Sequence, residues 1–198
     1  MVSTSVRFEV LSRCTPLAGV AQPLDRVVIE ELDQLVYVTL IDARGQGHLA
    51  AESVDRAALV VRRQLRSGVA ETFVEVHRTL EGAAGVSLGV LRIQKRPRRV
   101  EFFGVGRVYG AIAGLVDETL VGQPGTLGIG LPRVPGPVTM EYAAGDLVVL
   151  AADGLVDTWD LAAIWRHRDA ELASLVNRVA GPQGRLPDDA SIVLVRLS

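Results

Sequence analysis

The sequence predicts an α+β fold in which two mostly antiparallel sheets are covered by helices. Strand-like segments come first along the chain, followed by two helices, several more strands, and a last helix and strand. A parallel α/β protein would instead alternate strand and helix regularly, so this order favours antiparallel pairing. Glycine and proline separate most segments, as expected of short strands joined by turns. No repeat or low-complexity segment interrupts the pattern, and we expect one domain over residues 1–198.

The strand predictions rest on short apolar and β-branched runs. The first run alternates apolar and polar residues, and a loop rich in proline and glycine follows at 14–24. Two β-branched runs around a turn at 30–34 then predict a hairpin that ends at Asp42. The predicted strands span residues 6–11, 27–29, 35–41, 86–93, 100–105, 109–113, 138–142, 147–151 and 190–197.

The helix predictions rest on a change of period after Asp42. Residues 48–66 carry apolar side chains at three- and four-residue spacing, with charged residues between them, and Gly68 ends this segment. A second amphipathic segment at 70–80 stops at Gly82. A third helix is predicted over 161–179.

Composition excludes several classes of protein. With 48% hydrophobic residues among 198 and a net charge of -2, the chain does not resemble a disordered segment or a protein built to bind nucleic acid. The longest apolar stretch, 105–116, contains Arg107 and three glycines, so no transmembrane helix is predicted. Glu9 falls where a signal peptide would be apolar, and Cys14 is the single cysteine. We therefore expect a cytoplasmic protein that binds neither nucleic acid nor membrane.

Aspartates at the ends of predicted strands are the strongest chemical signal. Asp42 ends one apolar strand, Asp153 follows another, and Asp188 and Asp189 directly precede the last strand. Carboxylates that converge on one edge repel each other unless a cation neutralises them. Oxygen ligands of this kind suit Mg²⁺ or Mn²⁺. Each aspartate alone is also an ordinary turn residue, so the hypothesis depends on the combination.

These residues stand in motifs that resemble a known family. Residues 42–47 read Asp-Ala-Arg-Gly-Gln-Gly before a predicted helix and resemble the Asp-Gly-x-Gly-x-Gly motif of protein phosphatase 2C-like enzymes. Residues 147–155 and 187–191 are similar to the second and third aspartate motifs of that family. The segments at 102–107 and 125–128 resemble its strand-and-glycine segment and its Gly-rich loop. The match is closest to the sporulation stage II protein E type, in particular the small stand-alone phosphatases of the sigma-B and stressosome pathways.

The resemblance implies an α-β-β-α sandwich with two Mn²⁺ or Mg²⁺ ions at one end. In the family pattern Asp42 would bridge the ions, while Asp153 and Asp188 would hold the first ion. The backbone carbonyl of Ala43 would hold the second ion, together with Asp25 acting through water. A metal-activated water would attack the phosphorus in line, with Asp42 and Asp153 as the catalytic carboxylates and no covalent enzyme intermediate.

Two features near Asp42 depart from the family pattern or extend it. The family's glycine is replaced by Ala43, and a left-handed backbone there would cost alanine about 1 kcal/mol. Arg44 follows directly, and its guanidinium is suited to pair with a substrate phosphate, although a solvated surface arginine is the simpler interpretation. Arg13 and Arg26 are similar candidates for the same contact.

By resemblance, the expected activity is that of a serine/threonine phosphoprotein phosphatase in a bacterial partner-switching system. The substrates would be phosphorylated antagonist or scaffold proteins of a stressosome-like complex. Two alternatives stay open. The chain could be a catalytically impaired phosphatase-fold module that binds a signalling partner, an alternative supported mainly by Ala43. It could also hydrolyse small phosphate esters.

Overall fold

A computed structural model of the chain describes residues 8–16, 23–32, 34–114, 117–131, 133–152, 160–179 and 190–197. These ranges form ten strands and four helices. The strands are β1 (Glu9–Thr15), β2 (Arg26–Leu32), β3 (Leu35–Ala43), β4 (Val86–Gln94), β5 (Arg99–Val105), β6 (Val108–Ala113), β7 (Glu118–Val121), β8 (Val138–Glu141), β9 (Leu147–Ala152) and β10 (Ala190–Arg196). The helices are α1 (His48–Gln64), α2 (Val69–Thr79), α3 (Leu161–Arg166) and α4 (Leu172–Val179).

The strands form two five-stranded sheets. The first sheet has the order β1-β10-β9-β6-β7, and the second has the order β2-β3-β4-β5-β8. Every strand pair described within them is antiparallel. The predicted fold class is therefore confirmed.

The core forms three layers of apolar contact. Leu40 from the second sheet and Leu150 from the first belong to the cluster between the sheets. Phe73 of α2 packs with Val90 in a cluster that joins α1 and α2 to the outer face of the second sheet. Leu175 of α4 belongs to a cluster that joins α3 and α4 to the outer face of the first sheet. Burial of each large side chain stabilises the fold by about 1.5–3 kcal/mol.

The first two helices follow their apolar periodicity. Ala50, Val54, Ala57 and Val61 recur at three- or four-residue spacing in α1, and all four are buried. Helices α1 and α2 lie within two residues of the predicted bounds. In the described part of the chain, no helix has the length and apolar character needed to cross a membrane.

The single helix predicted over 161–179 is wrong, because the segment forms two short helices. Asp160 caps α3 by accepting a hydrogen bond from the Ala163 N–H at 2.8 Å. Beyond the end of α3, Arg168 donates to the Trp165 carbonyl at 3.3 Å, and its guanidinium carbon lies 4.3 Å from the centre of the Trp165 ring. This local capping ends the helix, and α4 restarts at Leu172 with its own buried stripe.

Some strand bounds also differ from the prediction. β1 extends to Thr15, so Cys14 lies in a strand and not in the predicted loop. The reason is tertiary, because all seven residues of β1 pair with β10. β7 was not predicted, since only Leu120 of its four residues is buried and the segment carries little apolar pattern.

A short link between the sheets determines which strand ends lie together. β5 ends at Val105 and β6 begins at Val108, so only Gly106 and Arg107 connect the second sheet to the first at this point. The end of β5 lies, through β4, beside the end of β3. Val108 pairs with Ala152, the last residue of β9. The ends of β3 and β9 therefore lie at the same end of the sandwich.

Candidate metal centre and phosphate site

Asp42 lies one residue before the end of β3. Side chains alternate across a strand, so Asp42 shares its face with Val38 and Leu40, which pack between the sheets. The residue is only 3% exposed, and its cross-strand neighbour Ser87 is also buried. An ionised carboxylate at such a position costs free energy unless hydrogen bonds or a cation offset its desolvation.

Asp25 lies beside it. Arg26 pairs with Ile41 in an antiparallel register. Asp25, the residue before Arg26, therefore lies level with Asp42, the residue after Ile41. Asp25 is 2% exposed, and its Oδ1 accepts a hydrogen bond from the Ala43 N–H with an N···O distance of 3.2 Å. This bond ties the Asp25 carboxylate to the segment that carries Asp42. The structure thus brings together two of the predicted ligands.

Ala43 has a strand conformation. It is the last residue of β3 and pairs with Val86, and its side chain packs in the cluster beneath α1 and α2. The backbone at this position is therefore extended, and the left-handed conformation considered from the sequence is not required. Positive φ angles occur instead at Gly45 and Gly47, at 86° and 84°, where glycine adopts them without steric cost.

Asp153 and Asp188 lie outside the described residues. The strands that flank them are described: Ala152 ends β9, and Ala190 begins β10. β9 and β10 are antiparallel neighbours, with Ile192 paired to Ala151. The end of β9 and the start of β10 therefore share an edge, at the end of the sandwich that carries Asp42. The ligand roles of Asp153 and Asp188 stay predictions.

The donor chemistry at this end fits a divalent cation. Asp25 and Asp42 offer only oxygen, the ligand type that Mg²⁺ and Mn²⁺ prefer. Two adjacent buried carboxylates repel each other, and a bound cation would offset that repulsion. Within the described ranges no three His, Cys, Asp or Glu side chains form a metal-binding group. A complete ligand set would therefore combine Asp25 and Asp42 with donors from elsewhere.

Arg44 is exposed beside the buried carboxylates. Its backbone N–H donates to the Gly85 carbonyl at 3.0 Å, and its guanidinium Nη1 donates to Thr126 Oγ1 at 3.2 Å. The six residues 44–49 are all exposed, which leaves this side of the site open to solvent. Arg44 therefore lies on the solvent-exposed segment directly after Asp42, and its contact with a phosphate stays a prediction.

The other two candidate arginines are engaged elsewhere. Arg26 forms an ion pair with Asp55, with a nitrogen–oxygen distance of 3.3 Å, and its Nη1 donates to the Pro23 carbonyl at 3.1 Å. Arg13 donates to the side-chain oxygen of Asn177 at 2.5 Å. These contacts favour structural roles for both residues.

The predicted Gly-rich segment 125–128 is the centre of a loop at 123–130, called the Gly-rich loop from here on, which lies beside the Asp42 end of β3. Its Leu127 exchanges two backbone hydrogen bonds with Val86, at 2.9 and 3.1 Å, next to the Asp42–Ser87 pair. The Gly106 N–H donates to the Gln123 carbonyl at 3.0 Å. The loop is therefore attached to the start of β4 and to the residue that follows β5.

A histidine anchors the same loop to α2. His77 Nδ1 accepts a hydrogen bond from the Gly128 N–H at 3.0 Å. His77 lies within the helix predicted over 70–80, and its sequence context indicates no further role. The two residues lie 51 positions apart, so helical periodicity carries no signal for the contact.

Comparison with known proteins identifies the fold. No protein-family model and no curated protein matches this sequence. Among solved structures, one from work on the bacterial stressosome as a modular system that controls secondary messenger signalling is 22% identical. The superposition covers 96% of this chain and 100% of the other chain, with a TM-score of 0.87.

Two further structures agree. RsbX in complex with magnesium is 20% identical, covers 96% of each chain and has a TM-score of 0.84. The SiaA-PP2C domain of Pseudomonas aeruginosa is 18% identical, covers 96% of this chain and 85% of its own, and has a TM-score of 0.77. At these identities the likeness establishes the fold. The resemblance drawn from the motifs is confirmed at that level: the chain has the protein phosphatase 2C-like fold.

Proposed function

We propose that the chain is a metal-dependent serine/threonine phosphoprotein phosphatase whose catalytic domain spans residues 1–198. The observation that carries this proposal is the pairing of buried Asp25 and Asp42 at the end of the sandwich where β3, β9 and the start of β10 meet. The phosphatase 2C-like fold supports it, and so does the position of the Asp42 motif at the end of a buried strand.

Asp42, Asp153 and Asp188 are the proposed direct carboxylate ligands of two Mn²⁺ or Mg²⁺ ions. The Ala43 carbonyl and Asp25, through water, are the proposed ligands that complete the second site. The extended backbone at Ala43 supports this assignment, because alanine fits there without strain. When bound, the ions supply Lewis acidity, which activates water and offsets the charge on phosphoryl oxygens.

The other residues of the site bind and orient the substrate. Arg44 offers a guanidinium to the phosphate oxygens, and such charge-assisted hydrogen bonds are stronger than neutral ones. The exposed segment 44–49 leaves room for a phosphoserine or phosphothreonine carried on a protein. The Gly-rich loop closes one side of the site through its bonds to Val86 and Gly106.

The proposed substrates are phosphorylated antagonist or scaffold proteins of a stressosome-like complex. The structural likeness to RsbX and to a structure from work on the bacterial stressosome supports this proposal. Dephosphorylation of such a protein would reset a partner-switching pathway after a kinase has acted.

Phosphate release from a phosphorylated antagonist protein tests the proposal. We would measure it with Mn²⁺ and with chelator for the wild type, Asp153→Asn and the control Asp146→Asn. Asp146 is a buried aspartate directly before β9, at the opposite end of the sandwich. Turnover that requires metal, disappears in Asp153→Asn and persists in Asp146→Asn is the expected result.

Other outcomes identify the alternatives. A folded wild type that releases no phosphate with either metal contradicts the proposal and favours a binding module. Hydrolysis of p-nitrophenyl phosphate without hydrolysis of phosphoproteins favours a small-ester hydrolase.

A further inference from the structure

The position of the Arg44 guanidinium depends on a residue that is distant in sequence. Arg44 lies in an exposed segment with two positive-φ glycines, a local backbone that offers the side chain little support. Its guanidinium donates to Thr126 Oγ1 at 3.2 Å, across 82 residues of sequence. An exposed arginine loses side-chain entropy when a bound ligand holds it in one orientation. An acceptor that already holds the guanidinium before binding reduces that entropy loss.

Thr126 is itself held firmly. Its backbone N–H donates to the Gly130 carbonyl at 2.9 Å, and its carbonyl accepts from the Gly130 N–H at 2.8 Å. The Thr126 methyl group lies over Gly85, where a Cβ added to the glycine would be 2.4 Å from the methyl carbon. A β-branched side chain has few χ1 rotamers, and the one present places the methyl at Gly85 and the hydroxyl at Arg44.

The loop that carries Thr126 is anchored on its other side. His77 Nδ1 accepts from the Gly128 N–H at 3.0 Å. Gly128 has a φ of 91°, and a Cβ there would be 2.7 Å from the Leu80 Cβ, so the loop lies directly on the end of α2. These contacts join α2 to Thr126 through a short, tightly packed segment.

We propose that Thr126 is a positioning residue that orients the Arg44 guanidinium toward the phosphate of the substrate. This inference rests on the proposed function. The guanidinium has five N–H donors, so one bond to Thr126 leaves the others available for phosphate oxygens. Orienting the group before binding reduces the entropy lost when substrate binds, and the effect belongs to substrate affinity.

A matched pair of substitutions separates the hydroxyl from the shape of the side chain. Thr126→Val keeps the branched shape and removes the acceptor, whereas Thr126→Ser keeps the hydroxyl. We expect Thr126→Val to raise KM for a phosphoserine peptide about fivefold, with kcat within about twofold of the wild type. Thr126→Ser should keep a KM close to that of the wild type. In an Arg44→Ala background, Thr126→Val should have no further effect on KM.

A second readout needs no catalysis. Nitrogen-15 NMR of the arginine side chains in the metal-free protein reports rotation of the Arg44 guanidinium. Rotation should be restricted in the wild type and Thr126→Ser, and free in Thr126→Val, with equal melting temperatures for the three proteins. If the wild type proves inactive, the proposed function fails and this measurement still decides the role of Thr126.

Two results would overturn the inference. One is unchanged guanidinium rotation across the three proteins. The other is an increase of KM by Thr126→Val that is equally large with and without Arg44.

Discussion

Replacing Asp42 with asparagine separates the metal-binding role of the carboxylate from its contribution to packing. The amide has nearly the same size, so it fits the 3%-exposed position without creating a cavity. It also removes one of two adjacent buried carboxyl groups, Asp25 being the other. Without metal, the melting temperature of Asp42→Asn should therefore equal or exceed that of the wild type.

Metal should reverse this order. A ligand present at about 100 times its dissociation constant stabilises a protein by about 2.7 kcal/mol. In a domain of this size, each kcal/mol shifts the melting temperature by about 2–4 °C. Mn²⁺ should therefore raise the melting temperature of the wild type by about 5–10 °C. The shift for Asp42→Asn should be less than about 2 °C, because the proposed bridging carboxylate is gone.

Calorimetric melts in chelator and in Mn²⁺ measure both quantities. Asp146→Asn is the matched control: Asp146 is also buried, its Oδ2 accepts from the Ala143 N–H at 2.8 Å, and it lies at the other end of the sandwich. Whatever its effect without metal, it should keep the full Mn²⁺ shift. An Asp42→Asn protein that keeps the wild-type Mn²⁺ shift would refute the assignment of Asp42 as a ligand.

Four further predictions concern the phosphate side of the site and the stability of the fold. Arg44→Ala should raise KM for a phosphoserine peptide about tenfold with little change in melting temperature, because the side chain is exposed; unchanged KM would remove Arg44 from the phosphate site. His77→Leu leaves the Gly128 N–H without its acceptor and should lower the unfolding free energy by about 1 kcal/mol, whereas His77→Asn, which can keep an acceptor near Nδ1, should lose less in denaturant titrations. Gly128→Ala combines a positive φ with a clash against Leu80 and should cost about 2 kcal/mol in the same titrations; a neutral substitution would contradict the packing of the loop on α2. Burial raises the pKa of the Tyr142 phenol above 10.0. The stabilisation by the neutral phenol is therefore present below about pH 10 and is lost as the pH rises through the pKa that the phenol has in the folded protein. Above about pH 10, the unfolding free energy of the wild type should fall more steeply with pH than that of Tyr142→Phe.

The predictions that succeeded depended on patterns local to the sequence. The stripe of Val54, Ala57 and Val61 has the helical period, and α1 forms where the stripe predicts it. Asp42 follows a run that is apolar except for Thr39, which is typical of a buried strand, and it is the second-last residue of β3. Strong periodicity survives in the tertiary structure because burial of the same apolar face favours the same element.

The parts that failed or were missed depend on side-chain contacts that periodicity does not report. The break between α3 and α4 contains no proline or glycine, and the local contact of the Arg168 side chain with Trp165 lies there. The bonds of His77 to Gly128 and of Arg44 to Thr126 span 51 and 82 residues. No periodicity or motif reports such pairs, because they arise when the Gly-rich loop folds back over the strand ends.

The backbone at position 43 shows how context alters an expectation. A motif that usually carries glycine suggested a left-handed conformation, which would penalise alanine. In the structure Ala43 continues β3 for one more residue, paired with Val86, and the positive φ angles fall later, at Gly45 and Gly47. The replacement of glycine by alanine is thus compatible with the proposed second metal site, and it gives less support to a purely binding role.

The most direct test of the central claim is anomalous diffraction from crystals soaked in Mn²⁺, collected on either side of the manganese absorption edge. The account predicts anomalous density at the end of the sandwich where β3 and β9 end, bounded by the carboxylates of Asp42, Asp153 and Asp188, with Asp25 close enough to act through water. Two results at saturating Mn²⁺ would contradict a metal-dependent phosphatase centre in this chain. One is the absence of anomalous density at this end of the sandwich, and the other is anomalous density only at other carboxylates.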